Sequence, residues 1–415
     1  MASCLFLWLL PQSFSSLSAS AQIRSLLFLL LFGVSVMLGA ELLHLLRMSK
    51  ASPRRSGHHS NVPLAHSIRS TFFRYIALII PWGILASLVL KHYYFQQEAF
   101  RLTRAVFEVL FPLIAIGGLP YIWLTLRWRG ERRYEYGDYA MLWLALYRRI
   151  WAWAGRKKTS LRLPSRVKKL LLGWLVTAFF LPLMIRFFDQ EFIAAAQAFQ
   201  ALRTLPDGIP WFVVWRELYH FLFHLIFIMD AGIAAIAYAI ASRWLNNRIR
   251  SVDTTMSGWI VCLVCYPPMN YGFTAQWIDY GRFQTEPLIT SWVGQSVLMF
   301  LILLLFSIYL WATMALGLRF SNLCHRGIVD SGPYRWFRHP AYTCKNIAWW
   351  LDNTYVLTSP GAMLAMLAAN LIYVLRGLSE ERHLRAFTDY QSYCRKVPCR
   401  FMPPLLFLPW RSHRP

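Results

Sequence analysis

The stretch from Gly332 to Tyr342 places two prolines, two arginines and a histidine together between two strongly apolar runs. Proline fixes its own φ angle and biases the preceding residue away from helix. Pro333 and Pro340 therefore predict a defined loop that ends where a helix begins. The first N–H groups of a helix carry the positive end of its dipole. With Arg338 and His339 beside them, they would form a receptor for a carboxylate or a phosphate.

A second polar group follows the next apolar runs. Arg376 and Glu380 are four residues apart, so they share one face of a helix. Phe387, Tyr390 and Tyr393 follow at spacings of three, and rings of this kind can hold a cation such as a sulfonium. Acidic groups for an amine and a ribose, basic groups for a carboxylate, and aromatic rings for a cation are together what S-adenosylmethionine would require.

The same segments have a purely structural interpretation, which the residues alone leave open. Glu381 would pair with Arg385 four positions on, the arginines would meet lipid phosphates, and the aromatic side chains would form an interfacial belt. The sequence contains no glycine-rich dinucleotide motif, P-loop or nucleophile elbow. Any cofactor must therefore be held by helices and their loops.

Ionisable residues inside apolar runs form a separate candidate site. Glu41-Leu-Leu-His44 and Glu217-Leu-Tyr-His220 both have the Glu-x-x-His spacing that di-iron helical bundles use. With the orientation derived below, the first pair lies near the inner end of its helix and the second near the outer end of its own. The two pairs are then about 20 to 30 Å apart, which excludes a shared metal centre.

Glu217, His220 and His224 also share one helix face, which would allow a mononuclear metal site. We favour interhelical hydrogen bonding instead and predict no metal site. Asp230 lies in the middle of the same run, where either a structural ion pair or a substrate contact would explain it. A non-enzymatic transporter that uses these four residues is a further alternative.

The composition is that of an integral membrane protein. Apolar side chains make up 57% and aromatic side chains 16% of the 415 residues, too many for a soluble domain. We predict an all-α, polytopic protein with about nine transmembrane helices, a C-terminal helical hairpin and a cytosolic tail. Apolar runs of about 20 residues, the length that crosses a bilayer, lie near residues 25–46, 72–90, 105–126, 170–188, 217–241, 258–275, 290–316, 343–357 and 361–378.

Two of these nine runs are weaker than the others. The sixth is interrupted by Tyr266-Pro267-Pro268, and the eighth is short, so either could be re-entrant or broken. Residues 1–24 are too short an apolar segment to span the bilayer, and we interpret them as a leader or interfacial segment. Residues 25–310 would form a membrane domain of unassigned role, and residues 311–415 a cofactor-binding membrane domain.

The net charge of +24 is concentrated in alternate connections between the predicted spans. Residues 47–71, 127–169, 242–257, 317–342 and 376–415 together hold 33 of the 43 lysines and arginines. The positive-inside rule therefore places these segments, including Gly332 to Tyr342 and the C-terminus, in the cytoplasm, and the N-terminus outside. Because the lysines and arginines are concentrated on one side of the membrane, membrane topology is enough to explain the positive charge. We therefore expect membrane lipids, and no nucleic acid, as partners.

The ordered C-terminal motifs resemble the isoprenylcysteine carboxyl methyltransferase and phospholipid methyltransferase superfamily. The resemblance covers about 90 residues at the C-terminal end. It rests on the segment from Gly332 to Tyr342, a following hairpin, and then Glu380-Glu381-x-x-Leu384, Phe387, Tyr390-x-x-Tyr393 and Lys396-Val397-Pro398. One departure is that relatives often have a glycine after the tyrosine of Arg-His-Pro-x-Tyr, where this sequence continues Thr343-Cys344-Lys345-Asn346.

The resemblance implies an integral-membrane methyltransferase that uses S-adenosylmethionine and acts on a lipid or lipid-linked acceptor, for example an isoprenylcysteine-like one. It implies a cofactor pocket on the cytosolic side. Arg376 matches an arginine that helps to position the acceptor, and with Glu380 it is the predicted catalytic pair. The residues implied as cofactor contacts are Tyr334, Arg338, His339, Pro340, Tyr342, Glu380 and Glu381.

A second family shares part of this pattern. Membrane sterol reductases, which use NADPH, also carry Arg-His-Pro-x-Tyr, an acidic pair and a tail similar to Tyr393-Cys394-x-x-Val397-Pro398-x-Arg400. Gly332-Pro333 before the motif, and Glu-Glu in place of the reductases' Asp-Glu, favour the methyltransferase. An NADPH-dependent oxidoreductase remains the alternative.

Overall fold

The computed structural model describes residues 64–129, 137–155, 164–241, 247–283 and 288–402. The predicted leader at 1–24 and the predicted first span at 25–46, with Glu41 and His44, lie outside these ranges. The chain divides into two compact units, Met1–Leu163 and Pro164–Pro415. Residues 310 and 311, between which we predicted a domain boundary, both lie within one helix of the second unit.

The first unit contains three described helices, α1 (Leu64–Lys91), α2 (Arg101–Arg129) and α3 (Gly137–Ala154). Two 3₁₀ turns, Tyr93–Gln96 and Glu98–Phe100, connect α1 to α2. Tyr75 in α1 donates a hydrogen bond to the carbonyl of Ala115 in α2 at 2.6 Å. Trp143 in α3 donates to the carbonyl of Ala77 at 3.0 Å. These long polar side chains connect the three helices, because each reaches a backbone acceptor on a neighbour.

The second unit contains all the remaining described helices. They are α4 (Ser165–Arg203), α5 (Trp211–Ala239), α6 (Met256–Leu263), α7 (Trp292–Leu316), α8 (Pro340–Asp352), α9 (Pro360–Leu384) and α10 (Thr388–Lys396). Short helical turns lie at Asn270–Thr274, Ala275–Trp277, Tyr280–Phe283, Gly317–Arg319, Gly332–Arg335 and Thr354–Thr358. Two strands of two residues, β1 (Ser251–Val252) and β2 (Cys324–His325), pair antiparallel. This pairing holds the segment before α6 against the segment after α7.

Six helical segments among the described residues are long and apolar enough to cross a membrane. They are Ser70–Lys91, Glu98–Leu124, Ser165–Arg203, Trp211–Ala239, Trp292–Arg319 and Pro360–Leu384. An all-α membrane protein is therefore confirmed, whereas nine spans are not. The sixth predicted span is broken, since α6 ends at Leu263 and irregular turns follow.

The predicted C-terminal membrane hairpin is also not established. With 13 residues, α8 is about 20 Å long, which is less than the thickness of the hydrocarbon layer. Ring contacts nevertheless place α8 beside α9, because Tyr373 lies 5.9 Å from Tyr342 and 5.2 Å from Trp349 between ring centroids. The short helix packs on the longer one without itself being long enough to span.

The helices of the second unit begin at residues that the sequence marks. Thr255, Ser291 and Ser359 cap α6, α7 and α9, since each side-chain oxygen accepts a hydrogen bond from a backbone N–H in the first turn. Proline occupies the first position of both α8 and α9, where its missing N–H costs no intrahelical bond. Pro340 and Pro360 thus fix the starts of the two helices that flank the candidate site.

An aromatic core supports the site from the α4 side. Phe180 in α4 is fully buried and stacks on Tyr238 of α5, with ring centroids 5.3 Å apart. Tyr266, after α6, packs edge-on against the other side of Phe180 at 4.9 Å. The hydroxyl of Tyr238 accepts a hydrogen bond from the backbone N–H of Asn322 at 2.8 Å. One phenylalanine therefore fixes two tyrosines and, through them, the loop after α7.

We expect Phe180→Ala to destabilise the protein by about 3–5 kcal/mol, because it leaves a cavity beneath both tyrosines. Thermal unfolding of the detergent-solubilised protein would measure the loss. Phe300→Ala is the matched control, since Phe300 in α7 is 56% exposed on the helix surface. Equal stability of the two variants would contradict the proposed packing role of Phe180.

Candidate active site

The loop before α8 has the bounds predicted from its prolines. A 3₁₀ turn covers Gly332–Arg335, and α8 begins at Pro340. Gly332 has a φ of 60°, and a Cβ there would lie 3.1 Å from Cβ of Ala315 and 3.3 Å from Nε1 of Trp311. Glycine is needed at this position because the backbone is left-handed and lies directly against α7.

The C-terminal tail closes over this loop. The backbone N–H groups of Arg338 and His339 donate to the carbonyls of Cys399 and Arg400 at 3.0 and 2.9 Å. The hydroxyl of Thr343 donates to the carbonyl of Phe401, whose ring stacks on that of His339 at 4.9 Å. The two N–H groups are thus occupied by the protein itself, so an anion would have to be bound by other donors.

Glu381 is the centre of a buried cluster of charges. Its side chain is 2% exposed, and its two oxygens lie 3.0 Å from Arg338, 3.3 Å from His339, 3.3 Å from Arg385 and 3.2 Å from Arg400. The pairing with Arg385 confirms the structural interpretation of the i, i+4 spacing. Because its oxygens already contact these groups, Glu381 holds the surrounding segments together and does not line the cavity.

Arg376 and Glu380 lie on the same face of α9, as their spacing predicted, with Nε 3.7 Å from the nearer carboxylate oxygen. Glu380 also accepts a hydrogen bond from the hydroxyl of Tyr342. The guanidinium of Arg376 lies 5.2 Å and 5.3 Å from the ring centroids of Tyr342 and Tyr266. Arg376 also donates to the side-chain oxygen of Asn322. This arrangement holds the guanidinium rigidly between two aromatic rings.

These groups line a cavity of about 320 Å³ within the second unit, a size typical of small-molecule sites. Six of the eight predicted site residues face it, whereas Pro340 and Glu381 do not line it. The six are Tyr334, Arg338, His339, Tyr342, Arg376 and Glu380. Tyr390 and Tyr393 line it as well, while Phe387 packs against the ring of His325 at 4.4 Å.

The cavity contains further polar groups that sequence reasoning missed. Arg326 is buried, its Nη1 donates to the carbonyl of Ala237 at 2.6 Å, and its Nε and Nη2 have no hydrogen-bond partner among the described residues. Neither ring nitrogen of His325 has a hydrogen-bond partner within that part of the chain, and Nε2 lies 3.8 Å from a carboxylate oxygen of Asp389. Burial lowers the pKa of His325, which favours the neutral ring. These buried polar atoms are not satisfied by the described residues around them.

The candidate site on the predicted fifth span lies elsewhere. Nδ1 of His224 lies 2.8 Å from a carboxylate oxygen of Glu191 in α4, the interhelical hydrogen bond that we favoured. Glu217 pairs with Arg216 at 3.0 Å. Among the described residues, no group of three metal-ligating side chains occurs. Asp230 accepts hydrogen bonds from Tyr309 and Thr313, which connects it to the wall of the cavity.

The described residues form a helical integral membrane protein with a cavity lined by charged and aromatic side chains. Residues 295–386 match the model of the isoprenylcysteine carboxyl methyltransferase (ICMT) family, which confirms the resemblance of the C-terminal part. The match contains most of α7, the loop, all of α8 and α9, and six predicted site residues that line the cavity. It supports a membrane methyltransferase. No curated protein matches the chain.

We expect Glu381→Gln to lower the free energy of unfolding by about 3–5 kcal/mol, because removing its charge leaves buried cations without a partner. Glu380→Gln is the matched control on the same helix, since its side chain is 31% exposed and has fewer charged neighbours. Chemical unfolding in detergent would compare them. If the two variants lost the same stability, Glu381 would not be the organising charge.

Proposed function

We propose that the protein is an integral-membrane methyltransferase that uses S-adenosylmethionine and acts on a lipid or lipid-linked acceptor, including an isoprenylcysteine-like one. The proposal is supported by the overlap between the family match and the lining of the cavity. The segment that matches the methyltransferase family is the segment that supplies most of the charged and aromatic lining of the cavity. Many of the residues that line the cavity therefore also belong to the segment that matches the family.

The lining residues fit the charges of such a cofactor. The guanidinium of Arg326 has two unused donor atoms for a carboxylate. Glu380 faces the cavity as an acceptor for an ammonium or a ribose hydroxyl. Tyr390 and Tyr393 offer aromatic rings to a sulfonium. Burial raises the pKa of Tyr393 above its ordinary value, which keeps this phenol neutral.

S-adenosylmethionine supplies an electrophilic methyl group on a sulfonium. The protein's contribution would be positioning and exclusion of water. Arg376, fixed between Tyr342 and Tyr266, would orient an anionic acceptor. A carboxylate acceptor needs no general base, whereas a hydroxyl or ammonium acceptor does. Of the two candidates for that base, Glu380 is the more available, because His339 lies against Glu381.

Embedding the site in a membrane protein suits an apolar acceptor. Transfer of an acyl or prenyl chain into water costs about 0.8 kcal/mol per methylene, so a site reached from the bilayer avoids that penalty. The positive-inside rule would place the opening of the site and the C-terminus on the cytoplasmic side. There the soluble cofactor and the membrane-bound acceptor can meet.

We expect the purified protein to bind S-adenosylhomocysteine and Glu380→Gln to weaken that binding by about tenfold, the value of one charge-assisted hydrogen bond. Isothermal titration calorimetry in detergent would measure both. Glu217→Gln is the matched control, because Glu217 pairs with Arg216 and does not line the cavity. It should retain full affinity.

Binding of NADPH in place of S-adenosylhomocysteine would identify the reductase alternative instead. Binding of neither nucleotide, with transport that depends on Asp230 and not on Glu380, would favour a transporter. Unchanged affinity of Glu380→Gln for S-adenosylhomocysteine would remove Glu380 from the site.

A further inference from the structure

Lys345 is a basic side chain in the cavity wall that neither the cluster around Glu381 nor the pair on α9 uses. It lies five residues after Pro340, about 7.5 Å farther along α8 from the charged loop, and it faces the cavity. It belongs to the stretch Thr343 to Asn346, where this sequence departs from the resemblance. Lys345 lies in the predicted apolar run 343–357. An ionisable side chain in such a run calls for a functional explanation.

Aromatic rings surround the ammonium group of Lys345. Nζ lies 5.1 Å from the ring centroid of Trp349 and 5.6 Å from that of Tyr309. Among the described residues, no oxygen accepts a hydrogen bond from it and no carboxylate lies at ion-pair distance. Two ring faces stabilise the positive charge but leave its three N–H donors available.

The nearest acidic side chains are occupied by other donors. Asp230 interacts electrostatically with Lys345, yet its two oxygens accept hydrogen bonds from Tyr309 and Thr313 at 2.7 Å each. Glu191, the other acid that interacts electrostatically with Lys345, lies 2.8 Å from Nδ1 of His224. Neither acid lies at hydrogen-bond distance from Lys345, so both leave its N–H donors without an acceptor among the described residues.

A bound sulfonium would add a positive charge to a cavity whose wall already contains Arg376 and Lys345. A negatively charged ligand would neutralise that charge and would accept hydrogen bonds from Lys345. The cavity is also lined by apolar side chains, among them Leu316, Phe320 and Leu323. A ligand that combines an anionic head with an apolar chain matches both features.

We propose that Lys345 is a specificity-determining residue that binds a negatively charged group, a carboxylate or a phosphate, on the lipid acceptor. This inference rests on the proposed function for the identity of the ligand as an acceptor. It adds a second, deeper cation to Arg376 and so defines the acceptor as an anionic amphiphile. Uncharged lipid alcohols would lack the group that Lys345 holds.

Direct binding of labelled amphiphiles to the purified full-length protein tests the inference without relying on methyl transfer. The probes are palmitate, a lysophosphatidate with the same chain length, and hexadecanol as the uncharged control, in neutral detergent. We expect Lys345→Met to weaken binding of at least one anionic probe by about tenfold or more. Hexadecanol binding should change by less than about twofold, because Met keeps the length and the apolar body of the side chain.

Lys345→Arg and Lys345→Gln complete the series. The arginine variant should retain anion binding, and the glutamine variant should lose it if the charge is what matters. Comparison of palmitate with lysophosphatidate distinguishes a carboxylate from a phosphate. The inference is overturned if the wild-type protein prefers hexadecanol, or if Lys345→Met affects charged and uncharged probes equally.

The variant Asp230→Asn distinguishes two roles for Lys345, which are binding of an anionic ligand and neutralisation of Asp230. If Lys345 only neutralises Asp230, the double variant Asp230→Asn with Lys345→Met should recover the thermal stability that Lys345→Met loses, and anion binding should be unchanged throughout. If Lys345 binds the anion, Asp230→Asn alone should retain or strengthen that binding. Calorimetry with S-adenosylhomocysteine on the same samples tests the proposed function independently, since failure there leaves the amphiphile result intact.

Discussion

The organisation of the C-terminal half depends on one carboxylate, Glu381, whose oxygens lie within 3.3 Å of three arginines and one histidine. Its partners come from the loop before α8, from α9 itself and from the tail. Burying a charge is costly unless it is paired and hydrogen-bonded, so these three segments are held in one arrangement. The cavity has its shape because the loop and the tail cannot separate without exposing an unpaired charge to an apolar environment.

A second charged group lies one residue earlier on the same helix and has a different character. Glu380 and Arg376 face the cavity, and the tyrosines at 266 and 342 hold the guanidinium between their rings. Adjacent positions on a helix point about 100° apart, so Glu381 turns toward the protein and Glu380 toward the open space. The acidic pair thus combines a carboxylate held within the structure and a carboxylate that faces the cavity in two successive residues.

Patterns among residues close in the sequence predicted much of this arrangement. Contacts between residues far apart in the sequence could not be predicted in this way. The prolines set the loop bounds, and the i, i+4 spacing placed Arg376 with Glu380 and Glu381 with Arg385, because both effects act within one or two turns. The contacts of Arg376 with Tyr266 and Asn322 span 110 and 54 residues. No spacing rule identifies such partners, although the Tyr-Pro-Pro interruption did mark where the sixth span would break.

The backbone bonds between the loop and the carbonyls of Cys399 and Arg400 give the chain an order of assembly. During synthesis the apolar helices can enter the bilayer one after another, yet the loop keeps two open N–H groups until the residues near 400 have been made. A growing chain therefore carries an unfinished pocket while the roughly 60 residues between the loop and Arg400 are being synthesised. The loop and the tail can close the pocket only after the tail has left the ribosome.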